Sequence, residues 1–204
     1  MRFALKQTGA RVVVFDKLTY AGSLLNLKEV EHDPRYAFVK GDICDRRAVR
    51  DALEQYKPSS IVHFAAETHV DRSIEGPRNS LDANVIGTFE LLEAALAYYR
   101  KLGDLQSSFR FLHVSTDEVY GSLGPEGRFF EDTHYAPNSP YAASKAGADH
   151  FVHAYHVTFK LPTLITNCTN NYGFYQFPEK LVPLMVLNSM AGKDLPMYLS
   201  LIHI

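Results

Sequence analysis

The amino-acid sequence predicts an α/β fold built on a doubly wound parallel sheet. Two observations carry the prediction: short β-branched runs recur along the chain, and helix-length segments separate them. Strand alternating with helix implies crossover connections, and crossovers leave neighbouring strands parallel. Taken in order, Met1 to Gly9 reads as the tail of a helix, with Gly9 as its stop. "RVVVFD" (11–16), "YAFVKGD" (36–42), "SIVHFAAE" (60–67), "FRFLHVST" (109–116) and "PTLITNCT" (162–169) each read as a buried strand. The clearest helix is "NSLDANVIGTFELLEAALAYYRKLG" (79–103), where Leu81, Val85, Phe89, Leu92 and Leu96 recur at steps of three and four. Between the fourth strand and the next helix lies "GSLGPEGRFFEDTHYAPNSP" (121–140), a long Gly/Pro loop of the kind that tends to be functional.

Composition narrows the partners. A chain of 204 residues with 46% hydrophobic content suffices for one packed α/β domain, or most of one. The net charge is −2 and the Lys and Arg residues are scattered, so neither nucleic acid nor an acidic membrane is the expected partner; a small molecule is. Cys44 and Cys168 stand far apart outside any CxxC pattern, which indicates neither a disulfide framework nor a zinc site and no metal ligand set. No apolar run approaches the roughly 18 residues of a membrane span, and no charged-then-apolar leader opens the chain. The expectation is a soluble, cytoplasmic protein.

In doubly wound sheets ligands bind beyond the carboxyl ends of the strands. Asp16 ends "VVVFD" and precedes Lys17-Leu18-Thr19. A carboxylate there can accept both ribose hydroxyls of an adenosine and would repel a 2′-phosphate, favouring NAD over NADP; the competing reading is a turn or helix cap. In "GDICD", Asp42 could meet an adenine amino group and Ile43 its face, though alone the motif is ordinary. Small Ala65 and Ala66 permit close backbone approach, with polar Thr68 and His69 just beyond; His69 by itself reads as structural. The strongest constellation is "HVSTDEVYGS" (113–122) followed by "SPYAASKAGADH" (139–150). The YxxxK spacing puts Tyr141 and Lys145 on one helix face, one turn apart. A nearby ammonium and a nicotinamide cation would stabilise the phenolate, which otherwise forms only near pH 10. YxxxK alone is as easily a surface pair, but Thr116 can hydrogen-bond the same substrate hydroxyl, and Asp117 and Glu118 follow it directly.

"FDKLTYAGSLLNL", "GDICD", "HFAAETHVDRSI", "HVSTDEVYG", "SPYAASKAGADH" and "TNCTNNYGFYQFPEKLVPL" cover nearly the whole chain. Together they resemble the extended short-chain dehydrogenase/reductase family, in its NAD-dependent epimerase/dehydratase branch, with a Rossmann-like fold. Within that branch the resemblance implies a lyase acting on a nucleotide-sugar, dTDP-glucose, with NAD as cofactor, and the Asp-Glu pair argues against an epimerase. The resemblance implies oxidation at C4, which acidifies the C5 proton, then loss of water across C5 and C6 and hydride return to C6. It makes Glu118 the base for C5 and Asp117 the acid for the departing hydroxyl. Tyr141 becomes the redox base, Lys145 its electrostatic partner and ribose anchor, and Thr116 the C4-hydroxyl contact. Asp16, Lys17, Leu18, Thr19, Asp42, Ile43, Phe64, Ala65, Ala66 and Asn171 match cofactor contacts, beside Tyr141 and Lys145. Thr68, Asn170, Lys180, Leu181, Pro196, Met197 and Tyr198, with Thr116, match nucleotide-sugar contacts, Lys180 suiting the diphosphate; Asn170 also reads as a turn former in "TNNYG". A homodimer is implied for the full-length enzyme.

Two departures qualify the resemblance. The family opens with a strand and a Gly-rich loop whose N–H groups hold the pyrophosphate, and this chain has neither. At the other end "LPMY" passes into "LSLIHI" instead of the family's Gly-Asp turn and Arg-Asp-Trp segment. The reading is therefore a fragment whose fold is incomplete at both ends. Residues 1–160 are a partial NAD-binding domain, and residues 161–204 are its last strand and the start of a truncated substrate region. Exposed sheet edges and weakened NAD affinity are expected. A nucleotide-sugar epimerase or other dehydratase remains an alternative, as does an inactive nucleotide-sugar-binding remnant.

Overall fold

The computed structural model describes residues 1–195 apart from Pro125, and apart from the side chain of Asp71. The five β-branched runs form the strands β1 (Val12–Asp16), β2 (Tyr36–Lys40), β3 (Ser60–His63), β4 (Arg110–Thr116) and β5 (Thr163–Cys168). Every pairing is parallel, as the strand–helix alternation requires. The strands fall into two sheets, β1–β2 and β3–β4–β5, and among the described residues no strand joins β1 to β3. β4 is the centre of the larger sheet, pairing along its length with β5 and over Arg110–His113 with β3. On one face of β4, Phe111, His113 and Ser115 are buried at the two-residue step of a strand.

The helices are α1 (Arg2–Gln7), α2 (Arg46–Tyr56), α3 (Val70–Glu75), α4 (Pro77–Ser80), α5 (Gly87–Tyr99), α6 (Pro140–Phe159) and α7 (Leu181–Met190). α1 ends at extended Thr8, not at Gly9, because the Thr8 hydroxyl donates to the Ala4 carbonyl at 2.7 Å and accepts the Ala10 N–H at 3.1 Å. The predicted helix 79–103 is interrupted by a π-type stretch, Leu81–Ile86. That wider turn directs buried Asn84 to Glu67, whose N–H and carbonyl it bonds at 2.8 and 3.0 Å, and to Ser144 at 2.9 Å. α2 is capped by Asp45, which accepts the Arg47 and Ala48 N–H groups. The main core packs α2, α5 and α6 against the sheet through Val49, Leu53, Leu92, Phe109, Phe111, Val152 and Leu161. Cys44 and Cys168 are free thiols. Among the described residues no helix is long and apolar enough to cross a membrane.

Candidate active site

The site grows from the carboxyl end of β4. Beyond Thr116 the chain enters a 3₁₀ turn, Asp117–Tyr120, whose first amide is capped when the Thr116 Oγ1 accepts the Glu118 N–H at 3.3 Å. The same hydroxyl donates to Asp117 Oδ1 at 3.4 Å. Gly121 ends the turn at φ +89°, where a Cβ would stand 2.3 Å from the Ala136 carbonyl oxygen. Only glycine accepts that conformation and that approach. The result is a pair of half-buried carboxylates, Asp117 and Glu118, at the strand mouth. Burial, and then the Asp117 charge, push the Glu118 carboxyl above its ordinary value, with Lys180 opposing.

α6 supplies the other half. Ser139 caps it, accepting the Ala142 N–H at 3.0 Å, and Pro140 occupies its first turn. Tyr141 then falls in the first turn, its N–H donating to Ser73 Oγ at 3.2 Å. Burial, and then the Glu118 charge, raise the pKa of its phenol well above the usual tyrosine value, with Thr116 opposing. Lys145, one turn on, is 3% exposed, and its Nζ donates to the Val114 carbonyl at 2.9 Å. Burial lowers its pKa to about 8, with Asp149 opposing. Desolvation dominates the tyrosine, and the ammonium is engaged by the backbone of β4.

Around this centre Lys180, at the head of α7, donates to Thr68 through its carbonyl at 3.0 Å and its hydroxyl at 3.1 Å, so these two predicted substrate residues meet. Leu181, Asn170 and Asn171 are exposed nearby in sequence, and among the described residues Asn171 bonds within its own loop, to Thr169 and Gln176. Pro196, Met197 and Tyr198 lie outside the described residues. On the cofactor side, exposed Asp16 caps the turn after β1, accepting the N–H of left-handed Leu18 at 2.7 Å, while Thr19 accepts the Gly22 N–H. Lys17 pairs with Asp42 at 3.2 Å. Burial raises the Asp42 carboxyl, but the Cys44 N–H and Lys17 outweigh it and hold it below the ordinary value. Ile43 is buried against Gly87, Phe64 and Ala65 are exposed, and Ala66 is half-buried.

Sequence reasoning left other groups unassigned. His69 caps α3, as its structural reading implied, accepting the Arg72 N–H at 3.4 Å. Arg72 stands 3.8 Å over the Tyr20 ring and 3.6 Å from Glu179, which accepts the Tyr20 hydroxyl at 2.8 Å. Tyr20, His69 and Arg72 line a small cleft with Glu67, Asn79 and Ser80. Its only sequence signal was proximity to quoted motifs, Arg72 in "HVDRS" and Glu179 in "PEKL".

Comparison with known proteins agrees with this geometry. The family model for GDP-mannose 4,6 dehydratase matches residues 2–202. The dTDP-glucose 4,6-dehydratase of Xanthomonas campestris is 56% identical over 191 residues, covering 93% of this chain and 54% of the relative. That of Neisseria gonorrhoeae is 51% identical over 200 residues, covering 97% of this chain and 58% of the relative. The chain therefore spans a little over half the length of the curated relatives it matches. Among solved structures, the dTDP-glucose 4,6-dehydratase DesIV of Streptomyces venezuelae, with NAD and dTDP bound, superposes with a TM-score of 0.88 at 46% identity, covering 98% of this chain and 60% of DesIV. A family match running from residue 2 to residue 202, over parallel sheets that carry the Thr-Asp-Glu turn against a YxxxK helix, leads to one conclusion: the chain belongs to the GDP-mannose 4,6 dehydratase family.

Proposed function

We propose that this chain carries the catalytic centre of an NAD-dependent dTDP-glucose 4,6-dehydratase, a lyase that yields dTDP-4-keto-6-deoxyglucose. The observation that carries the reading is the Asp117–Glu118 pair, held by Thr116 and facing Tyr141 across the mouth of β4. An epimerase moves hydride on and off C4 and has no use for an acid and a base aimed at C5 and C6.

The acceptor chemistry suits the adenosine end of NAD. Asp16 ends β1, Asp42 lies just beyond the adjacent parallel strand β2, and exposed Phe64 and Ala65 offer a strand-end ledge. Among the described residues no glycine-rich strand-to-helix turn serves the diphosphate. When bound, NAD would supply the hydride acceptor at C4 and the hydride donor to C6. The chain's own residues do the rest. Thr116 orients the C4 hydroxyl and Tyr141 takes its proton. The resulting ketone acidifies C5, whose proton passes to Glu118, a carboxylate made more basic by burial and its neighbour. Asp117 protonates the C6 hydroxyl as it leaves. Lys180, paired with Thr68, stands ready for the diphosphate of the sugar nucleotide. The reading divides the chain into a partial cofactor domain (1–160) and its last strand with the start of a substrate region (161–204), a division that the order of β5 and α7 supports. The reading extends to a cytoplasmic homodimer, supported by the family resemblance and by two free thiols.

Incubation of the full protein with dTDP-glucose and NAD tests the reading. The expected product has lost one water and carries a C6 methyl group. A C4 epimer retaining its 6-hydroxyl would replace the reading with that of an epimerase.

A further inference from the structure

Behind the Tyr141–Lys145 pair lies a buried polar cluster that the reaction above does not use. Tyr141, Lys145 and Asp149 follow one another at steps of four along α6, so they share its buried face. Opposite them, His113 and Ser115 share the buried face of β4. Asp149 is 2% exposed and His113 fully buried. Asp149 Oδ2 accepts from Ser115 Oγ at 2.7 Å and from the Tyr135 hydroxyl at 2.9 Å. Its other oxygen, Oδ1, lies 3.1 Å from His113 Nε2, which in turn lies 3.4 Å from Lys145 Nζ. One ring nitrogen therefore stands between a carboxylate and an ammonium. With a proton on Nε2 the ring serves Asp149; with its lone pair there it serves Lys145. Neither arrangement satisfies everything, and Asp149 Oδ1 and His113 Nδ1 are left without a well-formed hydrogen bond.

A buried ammonium needs a countercharge, because desolvation otherwise drives it neutral. Asp149 is the carboxylate that holds Lys145 toward its charged form, and burial alone opposes it. The other groups around the cluster do not supply that charge. His63, on β3, sits with its ring 5.0 Å from His113, bonds Thr88 at 2.9 Å, and is held neutral by burial. Tyr120 and Tyr135 are held in the phenol form by burial and by Asp149 itself. Asp117 and Glu118 act on Tyr141 from the mouth of the site.

We propose that Asp149, with His113 as the spacer between them, is a positioning residue that keeps Lys145 protonated beside Tyr141. The role given to Lys145 rests on the dehydratase reading above; the electrostatic coupling does not.

The test is the titration of Lys145 in the chain labelled with ¹³C at the lysine ε-carbon, followed by NMR without cofactor or substrate and assigned by loss of the signal in Lys145→Met. Asp149→Asn keeps the shape and removes the charge, so the Lys145 midpoint should fall by roughly one to three pH units, the range for loss of a near opposite charge. Asp149→Glu should restore it in large part. Tyr135→Phe removes a donor that partly neutralises Asp149, so the midpoint should move upward. An unchanged or raised midpoint in Asp149→Asn overturns the proposal. Should that variant not fold, an unchanged or lowered midpoint in Tyr135→Phe does so. In the full protein the alkaline limb of kcat should shift to lower pH in Asp149→Asn, a change that general loosening of the fold would not direct. Failure of the dehydratase reading is distinguished by its own result, absence of the 6-deoxy product from wild type, which leaves the lysine titration untouched.

Discussion

Glu118 is half-buried next to a second carboxylate, and both circumstances make its ionised form a stronger base. Replacing it with Gln keeps the shape and removes the base. In the full protein, solvent-deuterium exchange at C5 should slow by about two to four powers of ten while oxidation at C4 persists; undiminished exchange would remove Glu118 from the role. Because the base must be ionised and its pKa is raised, the acid limb of C5 exchange should lie above the ordinary carboxylate range. Lys180 opposes that rise, so Lys180→Met should move the limb to higher pH. Tyr141→Phe should abolish C4 oxidation, read as absence of the 340 nm absorbance rise in a stopped-flow trace, since it removes the phenol that the dehydratase reading makes the redox base. Thr116, Asp117, Glu118, Tyr141 and Lys145 were legible in the sequence because a strand end and a four-residue helix spacing fix where such groups point. The direction of the Lys145 ammonium was not legible. It depends on how closely α6 lies on β4, which brings the Val114 carbonyl to 2.9 Å. The Asp149–His113 cluster stayed hidden for the same reason, being made by two elements 30-odd residues apart in the chain.

At the scale of elements, the site depends on two short devices at the ends of β4 and α6. Gly121→Ala should destabilise the chain by roughly 1–3 kcal/mol from the backbone conformation alone, with the Ala136 carbonyl adding a clash. Ser139→Ala, which removes the cap of α6, should cost about 1 kcal/mol. Urea midpoints measure both, and a Gly121→Ala variant as stable as wild type would contradict the assigned turn. All five strands and their parallel sense were legible from β-branched runs alternating with helices. The end of α1 and the π-type stretch at Leu81–Ile86 were not. In the first, a Thr8 side chain competes with glycine for the helix end. In the second, the hydrogen-bonding needs of one buried side chain, Asn84, outweigh a regular apolar period.

Across the whole molecule, the separation of β1–β2 from β3–β4–β5 makes the protection uneven. Amides of β4, paired on both sides, should exchange with deuterium more slowly than those of β1 and β2, and equal rates would contradict the two-sheet arrangement. His63 and His113 are both held below the ordinary histidine value, by burial first. Below about pH 6.5 the unfolded chain therefore binds protons that the folded chain does not, so stability falls with falling pH, by up to about 1.4 kcal/mol per pH unit for each histidine. Urea midpoints between pH 7.5 and 5.5 should show this slope, and His63→Phe should reduce it; a flat profile would mean the pair is not held neutral. The central claim, that one site oxidises C4, eliminates across C5 and C6 and returns the same hydride, is tested most directly with dTDP-glucose deuterated at C4. The expected result is a dehydrated product bearing that deuterium in its C6 methyl group, read by mass spectrometry of the full protein's reaction. Deuterium retained at C4, or a product that still carries its 6-hydroxyl, would contradict it.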